Sequence, residues 1–150
     1  MLRFAESEAE AVGMADWAEA RIEHLGGGNF GPAVFGEVTR GGSRAAVVAF
    51  YDWREGYDTL GVSVALSGRR WASPGVVRAI FHYAFAQAGA NLLQVGTPAS
   101  NRAGVRFVRR VGFRQEAVLR DRYGPGRDMV IFSLTAAEWR QSSWFKEMCH

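Results

Sequence analysis

The chain has 150 residues, of which 48% are hydrophobic and 13% aromatic, enough to form one folded domain with a single hydrophobic core. The net charge of +3 comes from arginine, because Lys146 is the only lysine, and such an excess favours a polyanionic ligand. No apolar run is long enough to cross a bilayer, and the acidic residues 1–10 do not form a signal peptide. The lone Cys149 has no disulfide partner in the chain, and no spacing typical of metal ligands occurs. We therefore expect a cytoplasmic domain over residues 1–140, followed by a tail over 141–150, with no metal site.

The first third of the chain predicts a strand, a helix and a hairpin. Residues 2–4 are a short strand candidate, and Ser7 with Glu10 forms a capping-box pattern at the start of a helix that the glycines at 26–28 end. Strands over 33–39 and 44–51 follow, joined by a Gly-Gly turn. The second strand is apolar on both faces, which places it in the middle of a sheet.

The strand predicted over residues 58–66 has one large and one small face. Leucine and valine alternate with small residues, and the small side chains are those of Thr59, Gly61, Ser63 and Ala65. Two interpretations stay open: a helix packs closely on this small face, or another group lies on it.

Two further helices and three strands complete the chain. Ser73 and Pro74 begin a helix that Gly89 ends, and residues 92–97 form a buried strand. Asn101 begins the next helix, which Gly112 closes. A strand opens at residue 113, a Gly-Pro-Gly turn follows at 124–126, and the last strand covers 129–134. After residue 139 the tail either packs its aromatic residues as a helix or is disordered.

The stretch over residues 101–139 resembles the C-terminal half of the GCN5-related N-acetyltransferase (GNAT) superfamily. It is most similar to the branch that acetylates ribosomal-protein N-termini and antibiotics. The matching positions are Asn101, Gly112, Phe113, Asp128, Leu134, Glu138 and Trp139. The resemblance implies an α/β (α+β) fold with a mixed, mostly antiparallel sheet and helices on both faces. It also implies that the strands at 58–66 and 92–97 run parallel and splay apart to admit acetyl-CoA, and that an acetyl group moves to an amine.

The segment over residues 69–76 has the features of an anion site. A helix start presents free N–H groups and partial positive charge, and nearby arginines add charge-assisted contacts. The GNAT diphosphate loop is matched by Arg70-x-x-Ser73-x-Gly75, although Ser73 replaces a glycine and Pro74 lacks an N–H. Residues expected to bind acetyl-CoA are Leu66, Arg70, Trp71, Ala72, Ser73, Gly75, Val76, Asn101 and Arg106. The plain alternative is a capped helix without a ligand.

The catalytic residues are less clearly indicated. The resemblance implies that Asn101 binds the pantetheine arm, while simple helix capping by this residue is the alternative. The positions where GNAT enzymes carry a proton donor hold Val108 and Gly104 here. The candidates for acid and base are therefore Asp52, Tyr57 and Tyr123, with Glu37, Glu55 and Asp58 also near the expected acceptor cleft. A solvated surface role is the alternative for each of them.

The helix over residues 101–112 carries an arginine stripe. Arg102, Arg106, Arg109 and Arg110 lie opposite its valines, and a solvated helix face is the ordinary interpretation. The alternative is contact with the 3′-phosphate of the coenzyme or with nucleic acid. This alternative gives a second functional hypothesis, a GNAT-fold protein that modifies or binds nucleic acid, or binds the coenzyme, without ordinary amine acetylation. We expect a monomer or homodimer and no membrane partner.

Overall fold

Within the part of the chain that the structure describes, the architecture is a seven-stranded sheet with helices on both faces. A computed structural model describes residues 1–22, 30–68 and 70–148. The strands are β1 (Leu2–Phe4), β2 (Ala33–Arg40), β3 (Ser43–Arg54), β4 (Thr59–Leu66), β5 (Leu92–Pro98), β6 (Arg114–Leu119) and β7 (Met129–Thr135). The helices are α1 (Glu8–Arg21), α2 (Pro74–Phe81), α3 (Arg102–Arg110), α4 (Ala136–Gln141) and α5 (Ser143–Met148). The strand order is β1-β2-β3-β4-β5-β7-β6.

The two central strands, β4 and β5, are the parallel pair of this otherwise antiparallel sheet. Their pairing is confined to Thr59 with Leu92, Leu60 with Leu93, and Gly61 with Gln94. Beyond these pairs, β4 continues along β3 and β5 continues along β7, so the two strands separate toward their carboxyl ends. The predicted mixed sheet with a splayed parallel pair is confirmed.

Each face of the sheet carries its own hydrophobic cluster. On one face α1 packs Met14, Ala18 and Ile22 against β2, β3 and β4. On the other face α2 and α3, together with the C-terminal helices, cover the larger cluster around Leu93 and Phe132. Residues 45–50 of β3 are all buried, because both faces of this strand are covered, as the sequence predicts.

The helix starts show how far local sequence signals determine the structure. The Ser7 hydroxyl accepts the Glu10 N–H at 3.1 Å, so Ser7 caps α1 as predicted. The Glu10 carboxylate, however, accepts from the N–H of Glu6 at 3.4 Å instead of closing the reciprocal bond to Ser7. The predicted capping box is therefore only half present, whereas Thr135 and Glu138 form a complete one at α4.

Two features differ from, or add to, the sequence pattern. After Phe81 the α2 helix continues as a π-helical segment, His82–Gln87. The residues after Trp139 form the end of α4 and then α5, where Trp144 donates its indole N–H to the Val111 carbonyl at 2.9 Å.

The glycines at 26–28 and Cys149 lie outside the described residues. None of the helices in the described ranges combines the length and hydrophobicity needed to cross a membrane.

Candidate active site

A cavity of about 320 Å³ occupies the gap between the splayed strands. It is lined from β4 by Ser63, from β5 by Gly96 and Thr97, and from the helices by apolar side chains. Its walls extend from Ile22, in the cluster under α1, to Phe81, in the cluster under α2. The cavity therefore passes through the sheet from one face toward the other.

The inner walls of this passage combine apolar side chains with exposed strand edges. Beyond Gly61 the side of β4 that faces β5 has no partner among the described strands, so N–H and C=O groups on that edge face the gap. Val62, Val64 and Phe107 supply apolar surface. Such a passage fits an extended, slender chain that carries amide groups, because the amides can pair with the strand edge.

The start of α2 lies at the mouth of this passage. The Ser73 hydroxyl accepts the Val76 N–H at 3.2 Å, and the Ser73 N–H donates to the Trp71 carbonyl at 3.3 Å. The amides of Ser73 and Val76 are thus engaged in the helix cap. The N–H groups of Trp71, Ala72 and Gly75 have no acceptor within the described part of the chain. Three of these five amide donors therefore remain available to an anion.

Gly75 leaves open space above these amides. A Cβ built at this position would meet only the Ser73 hydroxyl, at 3.8 Å, which is an ordinary contact. The fold therefore does not require glycine here, and a ligand that approaches the helix start closely would require it.

Arg40 brings a cation to the same loop, a contact that no sequence motif indicated. Its guanidinium donates to the Trp71 carbonyl at 3.3 Å from the end of β2. Arg70 is exposed beside it, and Arg69 lies outside the described residues. The position of Arg40 follows from the antiparallel order β2-β3-β4, which places the carboxyl ends of β2 and β4 at the same edge of the sheet, one strand apart. That long-range pairing is not visible in a local motif.

Asn101 caps α3 and also lines the cavity. Its side-chain oxygen accepts the Gly104 N–H at 3.0 Å, which confirms the capping interpretation. A Cβ on Gly104 would lie 2.6 Å from the Asn101 amide nitrogen, so glycine is needed for this cap geometry. Val108 is buried in the cavity wall and can donate no proton there, while Arg106 lies on the exposed side of the helix.

The small face of β4 holds both a helix and an aromatic ring. Ala65 packs in the cluster under α1, which is the close helix packing that one interpretation predicts. Near the other end of β4, the Tyr51 ring lies against Gly61, where a Cβ would come within 3.3 Å of the ring carbon that bears the hydroxyl. The Tyr51 and Ser63 hydroxyl oxygens are 3.3 Å apart. The small residues of β4 thus make room for a phenol beside the cavity wall.

Tyr123 reaches the Tyr51 side of the site from the β6–β7 hairpin. The hairpin is held by the carboxylate of Asp128, which accepts the Asp121 N–H at 3.0 Å, and by that of Asp121, which accepts the Gly126 N–H at 2.8 Å. Burial raises the pKa of Tyr123; nearby Arg122 lowers it and the Tyr51 phenol raises it further. Tyr123 therefore stays protonated at neutral pH and is able to donate a proton.

This chain is similar to known proteins in its three-dimensional structure. No family model matches the chain, and no curated protein matches it. A putative acetyltransferase of solved structure is 24% identical with a TM-score of 0.67, over 79% of this chain and 66% of its own. A mutant of spermidine N-acetyltransferase SpeG from Vibrio cholerae is 10% identical with a TM-score of 0.73, over 95% and 99%. A putative acetyltransferase of the GNAT family from Desulfovibrio desulfuricans is 22% identical with a TM-score of 0.65, over 91% and 98%.

The chain has the GNAT fold. These similarities establish the architecture, and this chain spans only about two thirds of the length of the first of these structures. They do not distinguish among branches of the superfamily, so the ribosomal-protein and antibiotic branch stays a prediction.

None of the three predicted catalytic residues lines the cavity of this GNAT fold. Asp52 is in the β-bulge of β3 with a left-handed backbone (φ 57°), is 57% exposed, and pairs with Arg54 at 3.1 Å. Tyr57 is 78% exposed in the turn between β3 and β4. Among the described residues, neither belongs to the cavity wall, and neither does Tyr123.

Glu37, another residue considered near the acceptor cleft, lies in a network of ion pairs. Its carboxylate accepts from Arg3 at 2.7 Å and from Arg44 at 2.8 Å. Burial acts to raise the pKa of Glu37, but these two guanidinium groups outweigh it and hold the pKa below its usual value. Glu55 likewise accepts from the Trp53 indole at 2.8 Å.

Proposed function

We propose that this chain is an acetyl-CoA-dependent N-acyltransferase that moves an acetyl group to a primary amine by direct attack in a ternary complex. The proposal rests on the observation that two features of the molecule adjoin each other. Three amides without an acceptor in the described part of the chain, those of Trp71, Ala72 and Gly75, lie at the mouth of a passage between β4 and β5. A diphosphate joined to a slender amide-containing arm matches this combination.

The residues at the mouth fit a diphosphate by charge and by shape. The start of α2 supplies partial positive charge, and Arg40 and Arg70 add full charges nearby. The Ser73 hydroxyl accepts from Val76 and keeps its own proton free to donate. Gly75 leaves the approach open. In this proposal Leu66 and Asn101 flank the arm, and Arg106 faces the 3′-phosphate end.

The acceptor approaches from the α1 face of the sheet in this proposal. Tyr57 and Tyr123 are the candidate acids in this proposal, and burial keeps Tyr123 neutral at physiological pH, while Asp52 is the candidate for receiving the amine proton through water. SpeG, named as a spermidine N-acetyltransferase, supports an amine acceptor, either a small molecule or a protein N-terminus. A cytoplasmic location and a monomeric or homodimeric state stay predictions.

Calorimetric titration with coenzyme A tests this proposal without knowledge of the acceptor. We expect saturable one-site binding and a thermal stabilisation that grows with ligand concentration, reaching about 2.7 kcal/mol at a hundredfold excess over Kd. Release of free thiol from acetyl-CoA with spermidine and with a panel of peptide N-termini then tests the transfer. Absence of coenzyme binding would remove the proposal.

The second candidate, a nucleic-acid-binding role, is favoured by the arginine stripe on α3. Arg102, Arg106 and Arg110 make no ion pair within the described ranges, and α3 contains no acidic residue to balance them. Binding to a single-stranded oligonucleotide, with an affinity that falls steeply as salt rises, would support this role. Binding that is insensitive to substitution of these arginines would count against it.

A further inference from the structure

We propose that the Ser63 hydroxyl, positioned by Tyr51, stabilises the thiolate that leaves when acetyl-CoA transfers its acetyl group. This inference rests on the proposed function and adds a catalytic residue and a positioning residue to it. It concerns the leaving thiolate, because Val108 and Gly104 occupy the helix positions at which the GNAT resemblance implies a proton donor.

Ser63 is placed at the start of the gap between β4 and β5. It lies in β4 two residues beyond Gly61, the last residue of β4 that pairs with β5. Its side chain is on the face of β4 that carries Gly61 and Ala65, and it lines the cavity. The hydroxyl can therefore contact Tyr51 and also a ligand in the gap.

The position of Tyr51 is determined by the residues around it. Tyr51 pairs with Gly61 across β3 and β4, and its ring lies against Gly61 because that residue has no side chain. The centroid of the Phe30 ring lies 5.2 Å from that of the Tyr51 ring, so the two rings contact each other. These contacts hold the phenol oxygen 3.3 Å from the Ser63 oxygen.

Proton ordering follows from the acidity of the two groups. A phenol is a much stronger acid than an aliphatic hydroxyl, so the Tyr51 O–H donates and the Ser63 oxygen accepts. The Ser63 proton is then free to turn toward the cavity. The separation of 3.3 Å is longer than that of a typical O–H···O bond, as catalytic hydrogen bonds often are before a substrate is bound.

The step balances without an additional reagent. The amine nitrogen forms a bond to the acetyl carbon, the carbon–sulfur bond breaks, and its electron pair stays on sulfur. Ser63 donates a hydrogen bond to that sulfur, and the proton lost by the amine nitrogen leaves to solvent. The products are the amide and the coenzyme, whose sulfur is thiolate until a candidate acid such as Tyr123, or solvent, protonates it.

Thr97 carries the other side-chain hydroxyl in the cavity wall, so it must be compared with Ser63 as a possible donor to the sulfur. It lies on β5, on the opposite side of the gap, and is largely buried. No phenol is within hydrogen-bond distance of it in the described residues. The Tyr51 contact is therefore what distinguishes Ser63 as the donor.

The test measures the ultraviolet thiolate absorbance of coenzyme A bound to the full chain as pH is varied, with desulfo-coenzyme A as the blank. The variants are Tyr51→Phe, which keeps the ring over Gly61, Ser63→Ala, Ser63→Thr and Thr97→Val. In the wild type we expect the thiol of the bound coenzyme to titrate about one pKa unit lower than in Ser63→Ala, a tenfold difference in proton affinity. Tyr51→Phe should give a smaller change in the same direction, Ser63→Thr should restore the wild-type value, and Thr97→Val should leave it unchanged.

Equal thiol pKa values in all variants that bind coenzyme A would overturn this inference and leave the proposed function intact. A change confined to Thr97→Val would also overturn it. Failure of the wild type to bind coenzyme A would instead overturn the proposed function, and this inference with it. Calorimetry on each variant separates these outcomes, because a purely structural role of Tyr51 would alter binding or unfolding without moving the thiol pKa.

Discussion

Replacement of Gly75 by leucine tests whether the start of α2 needs a glycine to bind a ligand or to form the helix. The added Cβ meets only the Ser73 hydroxyl, at 3.8 Å. We expect the rest of the leucine side chain to cover the backbone N–H groups at the helix start. The helix itself should gain up to about 1 kcal/mol, because leucine is a better helix former than glycine. A diphosphate, by contrast, would lose access to one or two amides.

The size of the binding loss follows from those amides. A hydrogen bond to a charged group contributes about 1.5–3 kcal/mol, so blocking one or two of them should weaken coenzyme A binding roughly 10- to 100-fold or more. Isothermal calorimetry measures the Kd, and thermal unfolding checks the fold.

Gly13 supplies the matched control. It lies inside α1, and a Cβ added there would have no atom within 4 Å, so Gly13→Leu tests the same exchange away from the site. We expect Gly13→Leu to bind coenzyme A like the wild type. Wild-type affinity in Gly75→Leu would refute the reasoning that the α2 start holds the diphosphate.

Three further predictions concern charge and capping. Glu37 has a pKa held below its usual value, so it stabilises the fold above about pH 4.5 and that contribution is lost on acidification; Glu37→Gln should lower stability at pH 7 and flatten the decline below about pH 5, measured by urea unfolding. Gly104→Ala brings a Cβ within 2.6 Å of the side-chain amide nitrogen of Asn101. Its free energy of unfolding in the same assay should therefore rise about 1 kcal/mol less than that of Gly13→Ala. Arg40→Gln keeps a donor but removes the charge, so coenzyme A binding should weaken roughly 3- to 10-fold and become less salt-dependent in calorimetry.

Each of these has a clear contrary result. Unchanged acid sensitivity in Glu37→Gln would show that its ion pairs contribute nothing to the pH dependence. Equal gains from the two alanine variants would show that Asn101 caps α3 without needing glycine at position 104. An unchanged Kd in Arg40→Gln would remove this arginine from the coenzyme site.

The helices and strands were predicted well because their signals are local, whereas the mixed sheet with its splayed parallel pair was implied by the GNAT resemblance. Glycines marked the ends of strands and helices, and Ser73 with Pro74 marked the start of α2. The apolar character of β3 on both faces placed it in mid-sheet, where it is found. The π-helical continuation of α2 was not predicted, because no residue pattern separates it from an ordinary helix turn.

The site was only partly predictable, because its residues meet through long-range pairing. Ser73 and Gly75 stood out through helix-start chemistry, whereas Arg40 reaches the same loop from a distant strand. The small residues of β4 indicated that something lies on that face. That it is Tyr51, in contact with Ser63, depends on the register of β3 against β4, which no single segment encodes.

A crystal structure of the chain with coenzyme A tests the central claim most directly. The account predicts the arm between β4 and β5, with diphosphate oxygens within hydrogen-bond distance of the amide nitrogens of Trp71, Ala72 and Gly75. A coenzyme bound elsewhere, with the gap between those strands empty, would contradict it.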